Sequence, residues 1–141
     1  MATFNKFQSF VEHLAEKVHN LQTDVLKVML TNTAPVATNS VKADLVEVTA
    51  GNGYAAGGST SAQVSSAQTA GAYKLVLTDV VITASGGSIG PFRYVVLYND
   101  TPTSPAKPLI GWYDYGSVVT LLTGESMTVD FDGTNGVLTL T

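Results

Sequence analysis

The sequence predicts a mainly β protein: an antiparallel β-sandwich or jelly-roll-like domain with one N-terminal amphipathic α-helix. Three observations support this. Helical periodicity is confined to roughly the first 20 residues, short runs rich in Val, Leu, Thr and Tyr follow, and Gly, Pro, Asn and Asp separate those runs. Many short strands without helical segments between them indicate a sandwich rather than a parallel α/β sheet. A length of 141 residues fits one domain.

Apolar residues spaced by three and four positions predict a helix over about 4–20. They form one stripe: Phe4, Phe7, Val11, Leu14, Val18 and Leu21. We expect this stripe to pack on the protein's own sheet. The alternative is that its regular spacing, aided by Phe10, makes it a contact with another subunit.

The β-rich body is expected over about 25–141. Its predicted strands cover residues 25–31, 42–49, 73–84, 92–99, 109–115, 118–122, 127–131 and 137–141. Between the second and third of them, residues 51–71 consist largely of Gly, Ala, Ser and Thr. We interpret 51–60 as a mobile loop with a function in assembly, followed by a possible short strand at 61–66.

The composition favours a soluble protein that binds another protein. Charged residues make up only 13% of the chain, so much of the polar surface is uncharged and can be buried against a partner at low desolvation cost. The net charge of −4 and the scattered basic residues argue against nucleic-acid binding. No segment resembles a signal peptide or a membrane span, and the chain contains no cysteine.

The short motifs predict no catalysis. Gly86–Gly90 matches the G-x-S-x-G pattern around Ser88, but a strand follows where the nucleophile elbow needs a helix. Gly51–Ala56 matches a dinucleotide fingerprint without the required helix. His13 and His19, six positions apart on the predicted helix, would point about 120° apart and could not share a metal. We therefore expect no enzyme activity, no cofactor, no metal and no small-molecule ligand.

Aromatic residues supply the candidate partner-binding positions. Trp112, Tyr113 and Tyr115 form the densest aromatic cluster, and in a strand Trp112 faces away from the two tyrosines. We expect one face to anchor the core, while an exposed face could bind a protein or stack on a sugar ring. With the aromatic residues of the N-terminal segment and of the glycine-rich loop, the candidate set is Phe4, Phe7, Phe10, Tyr54, Trp112, Tyr113 and Tyr115.

Five phrases distributed from end to end carry a resemblance to a known family. They are Met1–Phe7 (MATFNKF), Leu26–Thr38 (LKVMLTNTAPVAT), Gly90–Asp100 (GPFRYVVLYND), Leu109–Gly116 (LIGWYDYG), and the ending with Val129–Phe131 (VDF) and Gly136–Thr139 (GVLT). These phrases resemble a family of small virion proteins that tailed bacteriophages encode in their structural gene clusters.

The resemblance implies a non-catalytic structural protein of the phage particle. We expect a capsid decoration (cement) protein that binds the major capsid protein, in many copies and as a homo-oligomer, at the head surface of virions assembled in the bacterial cytoplasm. Two alternatives remain open. One is a tail, neck or fibre-associated virion protein, and the other is a carbohydrate-binding β-sandwich that uses Trp112, Tyr113 and Tyr115.

Overall fold

The computed structural model describes residues 2–141. This part of the chain is mainly β, with antiparallel strands, one short α-helix and one 3₁₀ turn. In chain order the elements are β1 (Asn5–Lys6), α1 (Ser9–Ala15), β2 (Leu26–Thr31), the 3₁₀ turn (Lys42–Asp44), β3 (Ser59–Ser61), β4 (Gln63–Thr69), β5 (Ala72–Leu77), β6 (Val80–Thr83), β7 (Ile89–Asn99), β8 (Leu109–Leu121), β9 (Ser126–Val129) and β10 (Leu138–Leu140).

The strands form three antiparallel sheets. The largest has the order β1-β8-β7-β2-β3, and the smaller ones have the orders β10-β5-β4 and β6-β9. In the large sheet, β7 pairs with β8 along most of its length and with β2 through Tyr94–Asn99, so these three strands are the framework of the protein. Strand β8 departs from regular pairing near residues 115–118, since Phe92 pairs with Val119 but Tyr94 pairs with Asp114. Residues 115–118 therefore bulge from the sheet.

Both faces of the large sheet are buried at its centre, where β2 and β7 carry the unbroken apolar runs Val28–Leu30 and Val95–Leu97. On one face, Val28 and Leu97 pack with buried residues of the two smaller sheets, such as Leu75 and Ile82. A second, smaller cluster covers the other face: Phe7, Met29, Leu45, Val96, Tyr98 and Leu109. The N-terminal segment and the connection after β2 supply Phe7 and Leu45, so these irregular segments complete the core.

The predicted helix over 4–20 is wrong in its extent, because α1 covers only Ser9–Ala15. Before it, Asn5 and Lys6 pair with β8 as β1. After it, Lys17 adopts a positive φ of 65° and reverses the chain, so that the N–H groups of Val18 and His19 both point to the carbonyl oxygen of His13. Of the apolar stripe, Phe7 and Leu21 are buried within the chain, as is the neighbouring Phe10, whereas Val11 is 46% exposed.

The predicted strand at 42–49 is also wrong. The backbone N–H groups of Asp44 and Leu45 donate to the carbonyl oxygens of Val41 and Lys42 and close a 3₁₀ turn. The carboxylate of Asp44 caps its start by accepting hydrogen bonds from the backbone N–H groups of Ser40 and Val41. Only a single bridge, between Glu47 and Thr31, joins the rest of this stretch to the large sheet. Elsewhere the predicted strand at 73–84 is divided into β5 and β6, and the two predicted strands over 109–122 form the single β8.

Residues 51–60, which were expected to form a mobile loop, are held against the rest of the protein by hydrogen bonds. Glu47 accepts hydrogen bonds from the backbone N–H of Gly57 at 2.7 Å and from the Tyr54 hydroxyl at 2.7 Å. The Tyr98 hydroxyl donates to the carbonyl oxygen of Gly57. The segment then enters β3, and β4 extends to Thr69, beyond the short strand predicted at 61–66.

Candidate binding surface

The structure divides the seven aromatic candidates into buried and accessible ones. Phe7, Phe10 and Tyr54 are at most 3% exposed, so they lie in the chain's own core. Phe4 is half-buried beside Tyr113, with ring centroids 5.5 Å apart. Tyr115 is the most accessible of the set, with 56% of its surface exposed.

The aromatic cluster of β8 is divided between the two faces of the large sheet. Trp112 packs on Phe7, with ring centroids 4.6 Å apart, and closes the smaller core cluster. Tyr113 packs on the opposite side against Phe4 and Phe131. The three aromatic residues proposed for carbohydrate binding therefore do not form one platform, because Trp112 lies on the opposite face from Tyr113 and Tyr115.

Tyr113 and Tyr115 instead line an apolar groove of about 270 Å³. The rest of its lining consists of Ala2, Val95 of β7 and the run Met127–Asp130, which includes the end of β9. Burial, and secondarily the negative charge of Asp132, raise the pKa of Tyr113 to about 12, so its hydroxyl is neutral at physiological pH. The groove thus offers apolar walls, two phenol hydroxyls and one carboxylate at its rim, that of Asp130.

The bulge in β8 carries the exposed part of this surface. An ion pair between the Arg93 guanidinium and the Asp114 carboxylate, with Nε–Oδ1 at 2.8 Å and Nη2–Oδ2 at 3.0 Å, holds the base of the bulge. Asp114 Oδ1 also accepts the backbone N–H of Gly116 at 2.8 Å. These hydrogen bonds lower the pKa of Asp114. Tyr115 and Val118, each more than half exposed, project from the bulge. We call the groove and the bulge together the groove–bulge surface.

Tyr54, although no surface residue, is the centre of a polar network inside the protein. Its hydroxyl accepts the backbone N–H of Leu30 at 3.0 Å and donates to Glu47. Burial raises the pKa of Tyr54 well above its usual range. Burial would also raise the pKa of Glu47, but hydrogen bonds from Lys42 and Tyr54 outweigh it and lower that pKa. This network joins β2 to the glycine-rich segment.

Replacing Tyr54 with Phe should destabilise the protein by about 2 kcal/mol, because the Leu30 N–H would be buried without an acceptor and Glu47 would lose a donor. Chemical unfolding of purified protein measures the change. Tyr73→Phe is the matched control, since the Tyr73 hydroxyl makes a single part-buried bond to Ser66 at 2.8 Å; we expect a loss of about 0.5–1 kcal/mol. Equal losses in the two variants would contradict a central role for Tyr54.

The other motifs singled out in the sequence do not come together in one catalytic or metal-binding site. Ser88 is followed directly by β7, as its flanking sequence predicted, and its carbonyl oxygen accepts the Asn52 side chain. Within residues 2–141, no three histidine or acidic side chains are grouped as metal ligands. The predicted separation of His13 and His19 is wrong, however. Because α1 ends at Ala15 and the chain turns back, the two ring centroids lie 5.9 Å apart.

Comparisons with protein-family models, with curated proteins and with solved structures found no match to this chain. None of the helices formed by residues 2–141 has the length and apolar character needed to cross a membrane.

Proposed function

We propose that this protein is a non-catalytic component of a tailed-phage virion, a capsid decoration protein that docks on the major capsid protein. The sequence resemblance points to the virion. The observation that carries the docking role is the groove–bulge surface, where an exposed Tyr115 adjoins an apolar groove. Tyrosine is enriched at the centres of protein interfaces, because its ring buries apolar area while its hydroxyl keeps a hydrogen bond.

The proposal also includes the finer fold, an antiparallel β-sandwich. The large sheet would form one layer, and the sheets β10-β5-β4 and β6-β9 together would form the other. In support, residues from all three sheets share one buried cluster, among them Val28, Leu75 and Val129. Two packed β layers of this kind would give a decoration protein a rigid body from which the bulge in β8 projects.

The low charge of the groove–bulge surface supports a docking role as well. In the bulge, Asp114 is already paired with Arg93, so burying this region requires no unpaired charge to lose its water there. Asp130 at the rim of the groove is available to meet a basic residue of the partner. An interface with an apolar centre and a charged rim has the usual composition of specific protein contacts.

The test is binding of the purified protein to phage heads that lack it. We expect the wild type to bind and Tyr115→Ser to bind at least tenfold more weakly, since a central interface tyrosine contributes more than about 1.4 kcal/mol. The matched control is Val64→Ser on β4, which changes a residue 63% exposed outside the groove–bulge surface and should bind as the wild type does.

Two outcomes would contradict the proposal. If the wild type failed to bind such heads and co-purified with tails from disrupted virions, the tail, neck or fibre assignment would replace decoration. If Tyr115→Ser and Val64→Ser both bound like the wild type, the head contact would lie elsewhere on the molecule. Far-UV circular dichroism of each variant establishes that its fold is intact before binding is compared.

A further inference from the structure

The histidines brought together by the early end of α1 form a buried polar cluster that the proposed function does not use. His19 is 5% exposed, and its ring packs between His13 and Phe10, at centroid distances of 5.9 and 5.2 Å. Three buried polar atoms here have no hydrogen-bond partner within the described chain: Ser9 Oγ, His13 Nδ1 and His19 Nε2. Unpaired buried polar atoms are uncommon and costly, so their concentration at one place calls for an explanation.

The hydrogen bonds of Asn99 determine where the proton of His19 lies. The Oδ1 atom of Asn99 accepts the backbone N–H of Thr101, and its Nδ2 donates to Asp24 Oδ2 at 2.6 Å. The orientation of the amide is therefore fixed, and the same Nδ2 lies 3.1 Å from His19 Nδ1. Nδ1 must accept this bond, so the neutral ring carries its proton on Nε2.

Because Nε2 already carries a proton, protonation of His19 must occur at Nδ1. There the added proton would face the N–H donor of Asn99 and abolish the hydrogen bond between them. It would also create a positive charge on a buried ring beside His13. We propose that the His13–His19 cluster is an acid-sensitive latch, which holds residues 9–24 on the end of β7 at neutral pH and releases them when His19 is protonated.

The charged groups around His19 oppose protonation on balance. From its own segment, Asp24 favours the proton, but its carboxylate is already engaged with Asn99 and with the N–H of Asn20. From α1, His13 disfavours it. On the β7 side, Asp100 is neutralised by Lys27 and Lys107. Burial first, and then His13, lower the pKa of His19 from 6.5 to about 4, against the opposing effect of Asp24.

The direction and size of the pH effect follow from the linkage between protonation of His19 and release of residues 9–24. In the released state His19 would titrate near 6.5, whereas in the latched state it titrates near 4. The latch is thus at full strength above pH 6.5 and weakens as the pH falls towards 4, because the released state binds the proton more tightly. Between pH 7 and pH 5 these values correspond to an increase of roughly 20-fold in the equilibrium constant for release.

The segment is suited to local release. Helix α1 has seven residues and no side-chain hydrogen bond at its N-cap, so the helix alone contributes little stability. It is held by Phe10 and Leu21 in the core and by the Asn99 bond to His19. The β2–β7–β8 framework does not depend on α1 for its pairing. Local opening of such a unit below the global free energy of unfolding is ordinary behaviour for proteins.

The test is hydrogen exchange of the full chain between pH 7 and pH 5, corrected for the intrinsic pH dependence of exchange. In the wild type we expect amide protection in residues 10–24 to fall by roughly 20-fold, with little change in β2 and β7. His19→Gln can still accept the Asn99 bond but cannot be protonated, so its protection should be independent of pH. His13→Gln retains the titrating His19 and should keep a pH-dependent loss.

Several results would overturn the latch. They are an unchanged protection in the wild type, an equal loss in His19→Gln, or a loss of the same size in β2 and β7, which would mean that the whole domain unfolds. If His19→Gln does not fold, NMR titration of ¹³C-labelled histidine in the wild type decides the matter. A His19 midpoint near 6.5 with the segment still protected would overturn the proposal, whereas a midpoint well below 6.5 that coincides with loss of protection would support it.

Discussion

Replacing Gly58 with Ala should destabilise the protein by at least about 3 kcal/mol, the largest effect that we expect from adding a single methyl group. Gly58 has a φ of +79°, where a side chain is strained. A Cβ built there would lie 1.9 Å from the carbonyl oxygen of Val28 and 2.7 Å from its carbonyl carbon. Val28 is in β2, paired with both β3 and β7, so its backbone cannot retreat without breaking the large sheet.

Gly71→Ala is the control that separates steric overlap from backbone strain. Gly71 has a nearly equal φ of +85°, but an added Cβ would meet no atom within 4 Å. We expect this variant to lose about 1 kcal/mol, which is the cost of the left-handed conformation alone. Urea unfolding at neutral pH measures both values. If the two variants were equally destabilised, the close approach of Gly58 to β2 would not be a feature of the native protein.

Gly58 also illustrates why the interpretation of residues 51–60 as a mobile loop was wrong. A composition of Gly, Ala, Ser and Thr is typical of a mobile loop, and no local pattern indicates the carboxylate of Glu47 or the hydroxyl of Tyr98 that fasten it. At Gly58 the absence of a side chain lets the backbone pack directly against β2, and this requirement comes from the tertiary structure. Strand β4 extends past the short strand predicted at 61–66 because it pairs with β5 as far as Thr69, which local propensity does not reveal.

The N-terminal stripe also shows what local sequence patterns cannot predict. Spacing by three and four positions correctly identified Phe7 and Leu21 as buried residues, yet both lie outside α1. The spacing indicated which side of the segment faces the core. In the structure a short strand, a helix and a turn in succession place these residues on that side. The spacing could not indicate the left-handed Lys17 at which the chain turns back, and so it missed the contact between His13 and His19.

The candidate surface could be predicted only in part. Aromatic density indicated Tyr113 and Tyr115, and the alternation of a strand correctly separated them from Trp112. The run Met127–Asp130 was predicted as part of a strand, but nothing in its sequence indicates that it contacts the tyrosines. It reaches the tyrosines because β9 pairs with β6 and packs under the large sheet, which is a consequence of topology.

Replacing Phe10 with Ala should destabilise the isolated protein by about 3–5 kcal/mol. The ring is 1% exposed and belongs to the main core cluster with Leu21 and Leu26. Its removal would leave a cavity beneath α1, and it would also remove the ring that packs at 5.2 Å on His19. Because Ala favours a helix more than Phe does, the loss cannot be attributed to helix propensity.

Val11→Ala on the same helix is the matched control, since Val11 is 46% exposed and is part of the predicted apolar stripe. We expect a change within about 0.5 kcal/mol. Thermal and urea unfolding of dilute protein compare the two variants where no partner is present. If Phe10→Ala were as stable as Val11→Ala in this state, the stripe would be a surface for another subunit. A large loss confined to Phe10→Ala means that α1 packs on the protein's own sheet.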